Sequence, residues 1–185
     1  MTIDNNRKVG ISFSDAIRIL EQEPNAPFLC EINEEDDNEL HIIISCSEII
    51  HNKDIPEHSD NTVLDEILQD CKPIKPSKIR KFELVFEDYI IYQVRNESYC
   101  SYDPSEIRIG KYLIEFEKSK LLDYLSISTY AQQLDNGEFF PYQWKHYGVY
   151  TQNHIIDIIS HINPQIYMIN TSIPNYQTSC NTEKA

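Results

Sequence analysis

Residues 81–98, KFELVFEDYIIYQVRNES, alternate in a way that few folds can accommodate. Phe82, Leu84, Phe86, Ile90, Tyr92 and Val94 fall on even positions, and only Asp88 interrupts the series. Lys81, Glu83, Glu87, Gln93, Arg95 and Glu97 fall on odd ones, while Val85, Tyr89 and Ile91 make the odd face partly apolar near its middle. A period of two over this length means β-structure with one face buried. A two-residue turn at Glu87-Asp88 would send Ile90, Tyr92 and Val94 to the opposite face from Phe82, Leu84 and Phe86. A three-residue hairpin keeps the apolar face together but sets Lys81 opposite Arg95, a like-charge pair. The pattern therefore favours one long strand bent at Asp88.

The flanking chain supplies shorter elements. Ser12 or Ser14 caps a helix that runs through Asp15, Ile17 and Leu20 and stops before Pro24. Phe28–Ile32 and Glu39–Cys46 read as a hairpin whose connection, Asn33 to Asn38, is unusually acidic. Asp60 or Asn61 caps a second helix with Val63, Leu64, Ile67, Leu68 and Cys71 on one stripe. Lys72-Pro73-Ile74-Lys75-Pro76 cannot continue that helix. Further strands are expected at Tyr112–Phe116, Lys145–Thr151 and Ile166–Ile169, with a Ser119-capped helix carrying Leu121, Leu122 and Leu125. Residues 155–162 fit a helical stripe as well as a strand, and the density of β-branched residues favours the strand. The class predicted is α+β: a mostly antiparallel sheet in the C-terminal two-thirds, with a few short helices packed on it. The segment 72–78 marks a seam between an acidic α/β part, 1–72, and an antiparallel-sheet core, 78–174, unless the two are continuous.

Charge changes at the same place. The 185 residues carry a formal net charge of −14. Residues 1–72 hold 17 acidic and 5 basic side chains, and residues 73–185 hold 13 and 11. Such a field repels nucleic acid and anionic membrane and attracts cationic partners. The five cysteines, Cys30, Cys46, Cys71, Cys100 and Cys180, show no paired spacing and suggest reduced thiols. With no apolar leader and no apolar run near the roughly 18 residues needed to span a membrane, a cytoplasmic location is expected.

Four scattered glycines exclude a phosphate-binding loop, and no metalloprotease or nucleophile-elbow motif is present. His51 and His58 are seven apart, as are His154 and His161, so no metal or other cofactor is expected. The polar set closest to an active site is Arg95, Glu97, Asp123, His146 and His154, where a histidine, a carboxylate and an arginine can move a proton and hold an anion. Surface ion pairs and turn hydrogen bonds explain the same residues without catalysis, so no catalytic residue is assigned. Phe139-Phe140-Pro141-Tyr142-Gln143-Trp144 is too apolar for a free loop and either folds back on the sheet or forms a contact patch.

Three segments after the prolines, YIIYQVRNESY from Tyr89, KSKLLDYLS from Lys118 and KHYGVYTQNHIIDIIS from Lys145, are together similar to a family. The chain there resembles uncharacterised bacterial proteins of polymorphic-toxin and contact-dependent growth inhibition loci, of the immunity-protein type. The resemblance implies a binding role, neutralising a cognate toxin domain, and carries over no catalytic residue. A toxin that degrades nucleic acid needs a basic cleft, which an acidic protein can occupy. The residues expected to make that contact are Glu34, Glu35, Asp36, Asp37 and Glu39, helped by Asp65, Glu66 and Asp70. A small enzyme built on the arginine and histidine set, or a self-associating structural domain, is the alternative.

Overall fold

The computed structural model describes residues 6–35, 37–50, 72–101, 103–134 and 136–171. The expected helix from Asp60, with Asp65, Glu66 and Asp70, lies outside them, as does Asp36.

In order, the described elements are β1 (Asn6–Ile11), α1 (Phe13–Glu21), β2 (Phe28–Glu34), β3 (Leu40–Ile49), β4 (Ile74–Phe86) and β5 (Tyr89–Asn96). Then come β6 (Ile107–Ile109), β7 (Leu113–Lys118), α2 (Lys120–Ser128), β8 (Gln132–Gln133), β9 (Phe139–Phe140), β10 (Lys145–Tyr150), β11 (His154–Ser160) and β12 (Gln165–Thr171). The fold is α+β, with antiparallel pairing throughout. Two five-stranded sheets carry it. The first has the order β1-β12-β4-β3-β2, and the second β5-β11-β10-β7-β6.

The stretch 81–98 divides between these sheets. Its first half, in β4, pairs with β3 and β12, and its second half, β5, pairs with β11. The two halves do not pair with each other, and the expectation of one bent strand is corrected. Glu87-Asp88 is a two-residue turn, with Asp88 at φ 53° in the left-handed region that aspartate tolerates. The turn does reverse the apolar face, as the register demands. That reversal is harmless because β5 enters a different sheet, so Tyr92 and Phe82 still meet in one core.

That core lies between the sheets. Leu40, Ile42, Ile44, Phe82, Leu84 and Phe86 of the first face Leu113, Tyr147, Val149, Ile156 and Ile158 of the second. Helix α1 adds Ala16 and Leu20 and touches both β7 and β12. Its cap is Ser12, whose Oγ accepts from the Asp15 amide at 3.1 Å. Residues 155–159 are strand, as their branching suggests. The two-proline segment enters the first sheet from Ile74, and Pro76 stands opposite Ser47 where the β3–β4 register shifts. A proline fits there because the ladder is already broken. Strands on both sides of residue 72 thus share one sheet.

The outer face of the second sheet is only partly covered. Leu121, Leu122 and Leu125 of α2, with Ala131, Phe139 and Trp144, pack over Ile90, Ile91 and Ile159. The aromatic loop therefore splits. Trp144 is buried with Phe139 edge-on at 4.7 Å, whereas Phe140 and Tyr142 stay exposed. No helix among the described residues is long and apolar enough to cross a membrane.

Candidate functional site

Two places gather polar side chains beyond what folding requires. The first is the β2–β3 connection. β2 extends to Glu34, two residues further than the sequence suggests, and the chain reverses through Asn38 at φ 61°. Glu34, Glu35 and Asp37 are exposed, and Glu39 is half-buried. Phe86 pairs with Leu40, which sets the Glu87-Asp88 turn beside this tip. Carboxylates from two turns thus share one end of the first sheet.

The tip is braced from beneath. The Tyr89 hydroxyl donates to Glu34, and this bond, with burial, pushes the phenol up to about 12. His41 Nε2 lies 2.8 Å from Glu39 Oε1 and 3.7 Å from Glu35 Oε2, and its Nδ1 lies 3.3 Å from Glu83 Oε1. Glu83 in turn takes the Lys8 ammonium at 2.6 Å. Burial works against the His41 cation, but the hydrogen bonds it donates to Glu39 and Glu83 and the Glu35 charge outweigh it, raising its pKa. Ligand atoms of Glu35, Glu39 and His41 lie within 4.8 Å of one another. One imidazole and two carboxylates are a donor set that suits a divalent cation, although His41 is already held by the carboxylates around it.

The second place is the outer face of the second sheet. Register puts Gln93, Asp157, Gly148 and Ile114 in one row across β5, β11, β10 and β7. Asp157 is 1% exposed at the middle of that row. Its Oδ2 accepts from Gln93 Nε2 at 3.1 Å and from Arg95 Nε at 2.9 Å, and Arg95 Nη2 stands 2.7 Å away. Its Oδ1 lies 3.2 Å from His146 Nε2. Burial alone would raise this carboxyl, but His146 and Arg95 more than offset it and hold it below the usual carboxylate range.

His146 continues the chain of contacts. Its Nδ1 lies 2.7 Å from Ser119 Oγ, and its ring stacks on Phe116 at 4.1 Å and 8°. Ser119 Oγ also accepts the Leu122 amide at 3.2 Å as the cap of α2. The row is wide enough for this because Gly148 carries no side chain. A Cβ there would meet Phe116 Cε2 and Tyr150 Cε1, each at 3.1 Å.

A cleft of about 580 Å³ opens over the row, between β5, the start of α2 and residues Glu97, Cys100, Asp103 and Glu106. Arg95, Glu97, His146 and Asp157 line it. Of the set anticipated from sequence, Arg95 and His146 meet on one carboxylate and Glu97 stands at the cleft wall. Asp123 instead lines an adjoining depression of about 530 Å³ that shares Phe116 and His146 with the cleft and also borders Ser119 and Trp144. His154 is absent from both linings, and its buried Nδ1 has no hydrogen-bond partner among the described residues. Asp157 was missed. Its signal is visible in HIIDIIS: a lone aspartate inside an isoleucine run that must be buried has to be paired.

No protein-family model matches the chain, and neither a curated protein nor a solved structure is similar to it. The geometry must carry the functional reading.

Proposed function

We propose that this chain is an immunity-type inhibitor that binds and neutralises a cognate toxin domain with a basic, nucleic-acid-binding cleft. One observation carries the reading: Glu34, Glu35, Asp37 and Glu39 share the end of the first sheet with Glu87 and Asp88, in a chain of net charge −14. Bracing by Tyr89 and His41 supports it further. A tip fixed before contact loses less conformational entropy on docking than a loose loop does. The resemblance of the three C-terminal segments to immunity proteins points the same way. So does the electrostatic argument, since complementary charge speeds encounter and excludes wrong partners.

The test is a double charge reversal, Glu35→Lys with Asp37→Lys, chosen because both side chains are exposed. Titrated at low ionic strength against the product of the neighbouring reading frame, the variant should bind at least about tenfold more weakly. Unchanged affinity at low salt, with the fold intact by circular dichroism, would remove the acidic tip from the interface.

The arginine and histidine set favours a different reading only to the extent that it converges. The hydroxyl that touches His146, Ser119 Oγ, is buried and already caps α2. Binding remains the better account of the chain.

A further inference from the structure

We propose that the cleft over the second sheet is a binding site for a small aromatic carboxylate, independent of the acidic tip. The cleft rests on an ion whose burial does not stabilise the fold by itself. Taking a carboxylate out of water costs several kcal/mol, and apolar replacement of such networks is commonly neutral or favourable. What the network does achieve is orientation. Asp157, 1% exposed and held also by Gln93 and His146, fixes the Arg95 guanidinium through Nε and Nη2. Nη1 makes no hydrogen bond among the described residues, and the Arg95 side chain is 41% exposed at the cleft wall. A guanidinium with one edge clamped and another open is suited to a planar anion.

The walls specify the rest of the ligand. Phe116, Tyr124 and Tyr150 line the cleft with Ile155 and Leu121. Tyr124 is half exposed. A planar ring is the body that such walls take up. The volume, about 580 Å³, suits a small molecule. The charge balance selects a monoanion over a polyphosphate. Arg95, Arg108, Lys111 and Lys120 stand in the lining with Glu97, Asp103, Glu106 and Asp157, so the cleft carries no excess of positive charge for a second negative group to use.

Indole-3-acetate, indole and acetate are the probes, followed by amide chemical shifts of the full chain. Indole-3-acetate should shift the amides of Arg95, Tyr124, Gly148 and Asp157, and indole or acetate alone should bind at least about tenfold more weakly. Arg95→Lys keeps a cation beside Asp157 but removes the fork, and should weaken indole-3-acetate binding about tenfold while the thermal midpoint holds. Three results would overturn the proposal: no shifts at millimolar indole-3-acetate, equal binding of indole, or undiminished binding by Arg95→Lys. The acidic-tip reading survives any of them, because no toxin partner enters the measurement.

Discussion

At the scale of single residues, Asp157 organises more of the molecule than any other polar group. From β11 it takes contacts from Gln93 and Arg95 of β5 and from His146 of β10. Asp157→Asn should lower stability by about 2 kcal/mol at neutral pH by denaturant titration, since it leaves the Arg95 guanidinium without its counter-charge. The pH dependence has a definite sign. Because the folded pKa lies below the ordinary value near 3.9, this stabilisation is present above that value and lost as pH falls through the folded one. The gap between wild type and Asp157→Asn should therefore stay constant down to about pH 4 and close below it. His41 acts in the opposite sense. Its folded pKa is raised, so its contribution is complete below about 6.5 and disappears as pH rises through the folded value. Glu35, Glu39 and Glu83 face it, with Lys8 on the far side of Glu83. His41→Gln should cost more stability at pH 5 than at pH 8.

At the scale of elements, what was legible depended on how local the determinants are. Ser12 and Ser119 announce their helices because a cap is a contact within four residues. The alternation around Phe82 and Tyr92 announces strands, yet says nothing about which sheet each joins. The Glu87-Asp88 turn was misjudged for that reason: register argues against a two-residue turn only if both arms share a sheet. Two of the four edge strands in the large sheets, β1 and β6, were missed. β6 is exposed at all three residues and pairs only with β7, so neighbouring backbone rather than sequence pattern makes it a strand. Arg95 and His146 were singled out from sequence as members of a polar set able to move a proton and hold an anion, but their meeting on Asp157 is a product of the β5–β11–β10 registers. Gly148 holds that arrangement open. Gly148→Ala should cost about 1–2 kcal/mol in a thermal melt and disturb the Phe116–His146 stack, because the new Cβ meets two rings at 3.1 Å.

At the scale of the whole molecule, two antiparallel sheets enclose one core and leave two separate polar features outside it. One is the acidic end of the first sheet, and the other is the cleft over the second. The net charge of −14 belongs mostly to the sequence before residue 73, and under the proposed function the partner-facing role falls to the acidic end of the first sheet. Composition made that asymmetry readable. It did not reveal that Glu87 and Asp88, thought to be part of a bent strand, would join the same end through the Leu40–Phe86 pairing. The most direct measurement is the association rate with the neighbouring gene product as a function of ionic strength, for wild type and for the Glu35→Lys, Asp37→Lys variant. The account predicts a wild-type rate that falls steeply with added salt and a variant that is slower at low salt with a shallower slope. A rate independent of salt, or the same slope in both proteins, would contradict it.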